Sequence, residues 1–188
     1  MPTDKPTTKR PTRYVPAAGP QGARINLSRF VRERADQTAE RFGFGRVPTS
    51  DAPSTSQQLR GAFAHSKATG DPLPISNLFC DDTIYLEPED NVAFRFWHDV
   101  SHCHLGLSFS LPDEWELAVW HLNALAAAGL GPGTREHELF RADVLGQVIL
   151  LGVAGRFPFN QGEFTRTCIN LGLDEGILTE LRRVEAAS

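Results

Sequence analysis

The residues of this chain best suited to chemistry lie in one short stretch, Phe94–Leu105. Three of the six histidines fall within it, at positions 98, 102 and 104. His98 and His102 are four residues apart, so on a helix they lie one turn above each other on the same face. This is the spacing at which one helix presents two imidazoles to a single metal ion. The stretch therefore predicts a metal site or, alternatively, a buried network of hydrogen-bonded imidazoles.

Two carboxylates elsewhere in the chain could complete such a site. Asp143 shares a face of a predicted helix with Leu139, and a carboxylate on an apolar face is costly unless it is paired, hydrogen-bonded or bound to metal. Glu114 falls in the first turn of another predicted helix, where the helix dipole alone also favours an acid. One predicted arrangement has His98, His102, Asp143 and Glu114 around one divalent ion. Zn, Fe, Mn and Ni all accept imidazole and carboxylate ligands, so the residue types do not distinguish them.

This arrangement predicts a metal-dependent hydrolase that acts on a phosphoester or nucleotide. The metal would lower the pKa of a bound water and polarise a phosphoryl oxygen. Asp99 or Glu114 would serve as the catalytic base or orienting group, and Arg95 and Arg141 would bind an anionic small molecule. Two other roles are open to Asp99: it could bind the metal itself, or pair with Arg95 one turn back.

The chain order of four of these residues resembles the motif of a known family. A His, an adjacent His-Asp pair and a distant Asp follow one another as His65, His98-Asp99 and Asp143. This order resembles that of the HD-domain metal phosphohydrolases, which are all-helical and cleave phosphomonoesters or phosphodiesters, often of nucleotides. The resemblance implies that His65, His98, Asp99 and Asp143 bind the metal. His65 departs from the motif because it precedes a Gly/Pro loop, and the motif does not require His102.

The string FRxWHDxxH, present here as FRFWHDVSH, also resembles uncharacterised phage and plasmid proteins, a resemblance that implies no activity. An alternative function goes with this second resemblance. The chain would then be a non-enzymatic protein that binds a host protein or nucleic acid, and the histidines would form a structural core network. The charge distribution bears on this alternative. Residues 1–35 carry eight Lys and Arg against two acids, a balance of +6, so the net charge of -4 leaves -10 for the rest. A basic arm over residues 1–24 can bind nucleic acid or a protein partner, although a solvated tail has the same pattern.

The cysteines and the apolar runs indicate the compartment. Three cysteines without a CxxC pair argue against a disulfide framework and for a reducing cytoplasm. The N-terminus has no apolar signal-peptide core, and the longest apolar run, Val148–Ala154, is too short to span a bilayer. The sequence therefore predicts a cytoplasmic protein without membrane contact. Phosphate-binding loops, dinucleotide fingerprints and the GxSxG motif are absent from it.

Hydrophobic periodicity predicts a mainly α fold, a helical bundle with an irregular, partly disordered N-terminal region. We expect residues 1–24 to form a disordered basic arm and residues 25–188 a single helical domain, with the histidine-bearing bundle core at about 90–188. The pattern predicts one short strand, Thr83–Leu86. It predicts helices over 26–43, 57–65, 91–105, 112–129, 134–154, 161–171 and 174–184.

The helix predicted over 112–129 has an apolar stripe of Trp115, Ala118, Val119, Leu122 and Leu125 that we expect to face the core. Apart from His65 and the pair at 98 and 102, the remaining three histidines are assigned no metal. His104 is expected to be exposed, and His121 and His137 are expected at the surface or at helix ends. The Glu136-His137-Glu138 run does not give the repeated Glu-x-x-His spacing of a di-iron bundle.

Overall fold

A computed structural model describes residues 12–187 of the chain. Within that range the prediction of a mainly α helical bundle is confirmed, because seven helices account for most of the residues and the two strands are short. The elements are α1 (Pro20–Phe42), β1 (Arg46–Thr49), α2 (Ser56–Thr69), β2 (Leu73–Ser76), α3 (Pro88–Leu105), α4 (Leu111–Ala127), α5 (Arg135–Ala154), α6 (Gln161–Leu171) and α7 (Leu173–Ala187).

Helix α3, which carries the histidine pair, has well-defined ends. Pro88 opens its first turn, where a missing backbone N–H costs nothing. The Asp90 carboxylate accepts a hydrogen bond from the Glu87 backbone N–H at 3.2 Å, and it also forms an ion pair with Arg32 of α1. Gly106 ends the helix in the left-handed conformation, at φ 76°. The start of α3 is therefore attached to α1, and its register is set at both ends.

An aromatic cluster packs α1, α3 and α5 together beside the histidines. The Phe30 ring of α1 lies edge-on to Trp97 of α3, with ring centroids 5.6 Å apart. Phe94 of α3 meets Phe140 of α5 in the same way, also at 5.6 Å. Such pairs add roughly 0.5–1.5 kcal/mol each beyond the area they bury. This cluster holds one face of α3 still and places His98, one turn after Phe94, at its edge.

The two strands form a small parallel sheet that periodicity did not predict. Arg46 pairs with Leu73 and Thr49 with Ser76, and α2 makes the crossover between them. Each strand has only four residues and contains a proline, Pro48 or Pro74, which breaks the usual strand pattern. The sheet covers a second core cluster that includes Phe44, Leu59, Leu73, Ile75 and Phe96.

The predicted strand Thr83–Leu86 is wrong. These residues form a bent segment whose Ile84 and Tyr85 side chains are buried in the core. Their backbone groups bond to α1 instead of to a strand: the Tyr85 carbonyl accepts from Arg24, and the Leu86 N–H donates to the Ser28 hydroxyl at 2.9 Å. Burial against a helix therefore produces the apolar run that we interpreted as a strand.

The predicted arm over residues 1–24 lies partly outside the described residues, because residues 1–11 are not among them. Its remainder is packed against the body. The Tyr14 side chain is buried, and the Tyr14 backbone N–H donates to the Ala128 carbonyl at 2.9 Å. The Ala17 backbone N–H donates to the buried Glu136 carboxylate at 2.8 Å. Helix α1 begins at Pro20, ahead of the predicted start. Partner binding through residues 1–24 stays a prediction.

Among the residues that the structure describes, none of the helices combines the length and the apolar character needed to cross a membrane.

Asp143 attaches α6 to α5 through a buried hydrogen-bond network. The Asp143 side chain is fully buried, and its Oδ1 accepts from Gln147 at 3.0 Å, from Gln161 at 2.9 Å and from Thr165 at 3.2 Å. Burial raises the pKa of Asp143 from 3.8 to about 6, because the three donors only partly replace the lost water. The ionised form is therefore costly in the folded state.

We predict that Asp143→Asn raises the free energy of unfolding at pH 8. The folded pKa lies above the unfolded one, so stability increases as pH falls from above about 6 towards 4, and Asn removes this dependence. A shift of this size corresponds to up to roughly 2–3 kcal/mol. Urea unfolding at pH 8 and pH 4 measures the difference in free energy of unfolding between variant and wild type, which should be smaller at pH 4. The matched control is Asp51→Asn on an exposed loop. Marked destabilisation of Asp143→Asn at pH 8 would contradict the expectation.

Candidate metal centre

Three ligand-type side chains converge where α3 meets the first turn of α4. The Nε2 atoms of His98 and His102 are 3.0 Å apart. The Glu114 carboxylate lies 3.3 Å from His102 Nε2 and 3.6 Å from His98 Nε2. Two ligands bound about 2.1 Å from a tetrahedral metal are about 3.4 Å apart. The three side chains are thus spaced as the ligands of one metal ion, and among the described residues they form the one such group of His, Cys, Asp and Glu.

The group is closed towards the protein and open on one side. The His102 side chain is 1% exposed, whereas His98 and Glu114 keep 25% and 16% of their side-chain surface accessible. The accessible edges of His98 and Glu114 line a cavity of about 850 Å³. A metal bound here would have protein ligands on three sides and the cavity on the fourth.

The cavity has mostly apolar walls. His98, Asp99, Glu114 and Arg95 form its polar end, on α3 and α4, and further polar side chains line it from other elements, namely Asp81, Asp82, Asn160 and Gln161. A cavity of this volume with a few convergent polar groups is typical of small-molecule sites. Its apolar lining includes Leu78, Phe94, Phe109, Leu151, Phe157 and Phe159.

A third imidazole adjoins the group and was not predicted. His121 of α4 is fully buried, and its Nε2 lies 3.2 Å from His98 Nδ1. The expectation of a surface position was wrong because the apolar stripe of α4 was misplaced: Trp115 is 45% exposed, while Leu117 and His121 face the core. A signal was present, since Glu114 and His121 are seven residues apart and so share a helix face.

The ionisation states suit a metal. Burial, and then the charge of His102, holds the pKa of His98 well below its ordinary value, and burial lowers the pKa of His121 to about 3. Burial opposes ionisation of Glu114, but the hydrogen bond from His102 favours it, and the pKa of Glu114 is lowered. At neutral pH, His98 and His121 are therefore neutral and Glu114 is ionised. Neutral imidazole and carboxylate are the forms that bind metals.

Asp99 and Arg95 complete the polar end of the cavity. Burial raises the pKa of Asp99 to about 7, and the charges of His102 and Arg95 oppose that rise. Arg95 does not pair with Asp99 by hydrogen bond: its Nη1 donates to the Ser76 carbonyl at 2.9 Å and to the Leu78 carbonyl at 2.7 Å. Arg95 thus connects α3 to the end of β2, and both residues line the cavity as candidates for contact with a ligand.

The other predicted site residues lie elsewhere, which corrects the predicted ligand set. His65 is exposed on α2 and pairs with Asp71 at 3.1 Å. Asp143 is buried as expected, but its Oδ1 accepts from three donors of the α5–α6 network, and among the described residues it does not belong to the converging ligand group. Arg141 is exposed on α5 and does not line the cavity. The structure therefore does not assemble His65, His98-Asp99 and Asp143 around one ion. His104 is exposed as predicted, beside Arg41.

The chain matches no known family model, and comparison with curated proteins and with solved structures yields no match.

We predict that the double variant His98→Ala/His102→Ala loses metal binding while keeping its helical content. Removing two of three ligands leaves only Glu114, which is too little for a stable site. Equilibrium dialysis against Zn²⁺ followed by elemental analysis should find about one ion per wild-type chain and a small fraction of that in the variant. The control is His104→Ala, an exposed histidine of the same helix. Full metal content in the double variant would exclude this site.

We predict that Glu114→Gln weakens metal binding by at least about tenfold, because an amide lacks the charge that favours a divalent ion. Competition with a chromophoric chelator gives the dissociation constant. Glu116→Gln is the matched control, since Glu116 is exposed on the same helix. Equal affinity in Glu114→Gln and wild type would remove Glu114 from the ligand set.

Proposed function

We propose that this protein is a metal-dependent hydrolase in which His98, His102 and Glu114 bind one divalent ion. The proposal is carried by one observation: the Nε2 atoms of His98 and His102 lie 3.0 Å apart at a cavity, and each lies within 3.6 Å of one oxygen of the Glu114 carboxylate. Two imidazoles and a carboxylate are a ligand set of catalytic zinc sites, in which a water or the substrate takes the fourth position. Mn, Fe and Ni accept the same ligands.

The ion and Asp99 would each supply part of the chemistry. A divalent ion in such a site acidifies water and polarises a substrate oxygen. Asp99 follows His98 in the chain and lines the cavity at its polar end. A carboxylate in that place can accept the proton that the attacking water loses and return it to the leaving group. Arg95, the one cationic side chain among the described residues lining the cavity, would contact an anionic part of the substrate.

The walls of the cavity favour a substrate with an apolar body. Phe94, Phe109 and Leu151 can enclose an aliphatic or aromatic group, and their burial by a ligand would exclude water from the reacting end. One guanidinium, already bonded to two backbone carbonyls, suits a single anionic group better than a polyphosphate. We therefore place carboxylic esters and phosphomonoesters with apolar substituents ahead of nucleotides as substrates.

We predict that Asp99→Asn lowers hydrolysis by about 10²–10⁴-fold while leaving the metal content unchanged, since the amide cannot accept the proton. The assay uses Zn²⁺-loaded protein with p-nitrophenyl carboxylic esters of increasing chain length and with p-nitrophenyl phosphate. Asp81→Asn, another aspartate that lines the cavity, is the matched control.

Equal turnover by wild type and by His98→Ala/His102→Ala would exclude metal-dependent hydrolysis. Stoichiometric metal without turnover on any of these substrates would instead favour the second candidate, an interaction protein with a structural metal. That candidate is supported by the exposure of three aromatic rings, Phe79, Phe157 and Phe159, which also line the cavity.

A further inference from the structure

We infer that His121 is a positioning residue of the metal centre: its Nε2 accepts a hydrogen bond from His98 Nδ1 and so directs the lone pair of His98 Nε2 at the metal. The inference rests on the proposed metal centre, but it does not depend on the reaction being a hydrolysis.

The argument starts from the two nitrogens of His98. Its Nε2 faces His102 and Glu114, at 3.0 and 3.6 Å, and its Nδ1 faces His121 Nε2 at 3.2 Å. A neutral imidazole carries one proton, so a metal on Nε2 requires that proton on Nδ1. A buried N–H needs an acceptor. His121 Nε2 is the acceptor that the structure provides, and this bond selects the tautomer of His98 that can bind a metal.

The surroundings of His121 hold its ring in the orientation that this bond needs. The Trp97 ring centroid is 4.1 Å from that of His121, and those of Trp120 and Phe94 are 5.2 and 5.5 Å away. The residue has no accessible surface. Three aromatic side chains and complete burial leave the imidazole little freedom to turn, so Nε2 stays aimed at His98.

His121 also leaves a polar atom unsatisfied. Its Nδ1 is buried, and it has no hydrogen-bond partner among the described residues. An unsatisfied buried polar atom costs free energy that an apolar side chain of similar size would not. Stability therefore does not explain an imidazole at position 121, whereas an acceptor for His98 does.

The position of His121 separates this role from that of a fourth ligand. Its Nε2 contacts the Nδ1 side of His98, which is the side away from the three converging ligand atoms, and it is not a member of their group. The usual partner of a metal-bound histidine is a carboxylate, a carbonyl or water. An imidazole partner is neutral, so a divalent ion with Glu114 would keep a net positive charge, which favours acidification of bound water.

The experiment compares Zn²⁺ binding by the full-length wild type, His121→Phe and His121→Gln, measured by competition with a chromophoric chelator. Phe keeps the aromatic packing but accepts no hydrogen bond, and Gln restores an acceptor. We expect Phe to weaken binding by about 10–100-fold and Gln to recover most of that loss. Urea unfolding of the metal-free proteins should find His121→Phe at least as stable as wild type. If the role of His121 were purely structural, His121→Phe would instead be less stable than wild type.

A second measurement uses the wild type alone and so does not depend on folding of a variant. Long-range ¹H–¹⁵N correlation spectra of the Zn²⁺-loaded protein should show His98 protonated at Nδ1 and metal-bound at Nε2. Wild-type affinity in His121→Phe, or equal losses in His121→Phe and His121→Gln, would each overturn the inference while leaving the metal centre intact. A proton on His98 Nε2 in the loaded protein would overturn the inference and would also remove His98 Nε2 from the ligand set. Failure of the wild type to bind Zn²⁺ would overturn both, and absence of hydrolysis alone would affect only the proposed reaction.

Discussion

The structure depends on one constraint, the burial of three imidazoles and a carboxylate at the contact between α3 and α4. Removing such groups from water is costly unless each is neutral, hydrogen-bonded or bound to a cation. Here His98 contacts both His102 and His121, and the Glu114 carboxylate lies beside His102. These contacts pair the polar atoms that face one another, whereas Nδ1 of His102 and Nδ1 of His121 have no hydrogen-bond partner among the described residues. The register of α3 against α4 is consequently restricted, because a shift of one residue in either helix would turn His98 or Glu114 away from its partners.

The rest of the bundle maintains that alignment. Arg32 and Asp90 attach α1 to the start of α3, and Arg95 attaches the middle of α3 to the end of β2. These connections come from the irregular first half of the chain, while the partner helix α4 comes from the second half. The small sheet therefore supports the site without contributing a ligand. The cavity lies between the two halves, so its residues come from loops and helices that are far apart in sequence.

The features that could be predicted from sequence are those with local causes. The spacing of His98 and His102 determines that they share a helix face, and the glycines at the helix ends mark where α3 and α5 stop. The sequence also places Glu114 in the first turn of a helix, where an acid is expected, and the fold brings that turn to the histidine pair. Tertiary packing decided the remainder. Asp143 was correctly predicted to be buried, but only the fold shows that amide and hydroxyl donors bond to its Oδ1, while its Oδ2 has no hydrogen-bond partner among the described residues.

His121 was missed because α4 is apolar on several faces, so its stripe of large residues does not identify the buried one. The strands were missed because four residues with a proline give too little pattern. In both cases the structure depends on contacts with a distant part of the chain. Periodicity within one helix or strand does not predict such contacts.

The segment before α1 has a consequence for how the chain reaches this structure. Tyr14 and Ala17 bond to Ala128 and Glu136, more than a hundred residues later. Closing so long a loop is entropically expensive, and contacts of this separation form late in folding. During synthesis from the N-terminus, the segment can contact α1 early, as Val15 does through Asn26, but these two long-range bonds cannot form until α4 and the start of α5 have emerged. The two bonds attach residues 12–19 to the turn between α4 and α5.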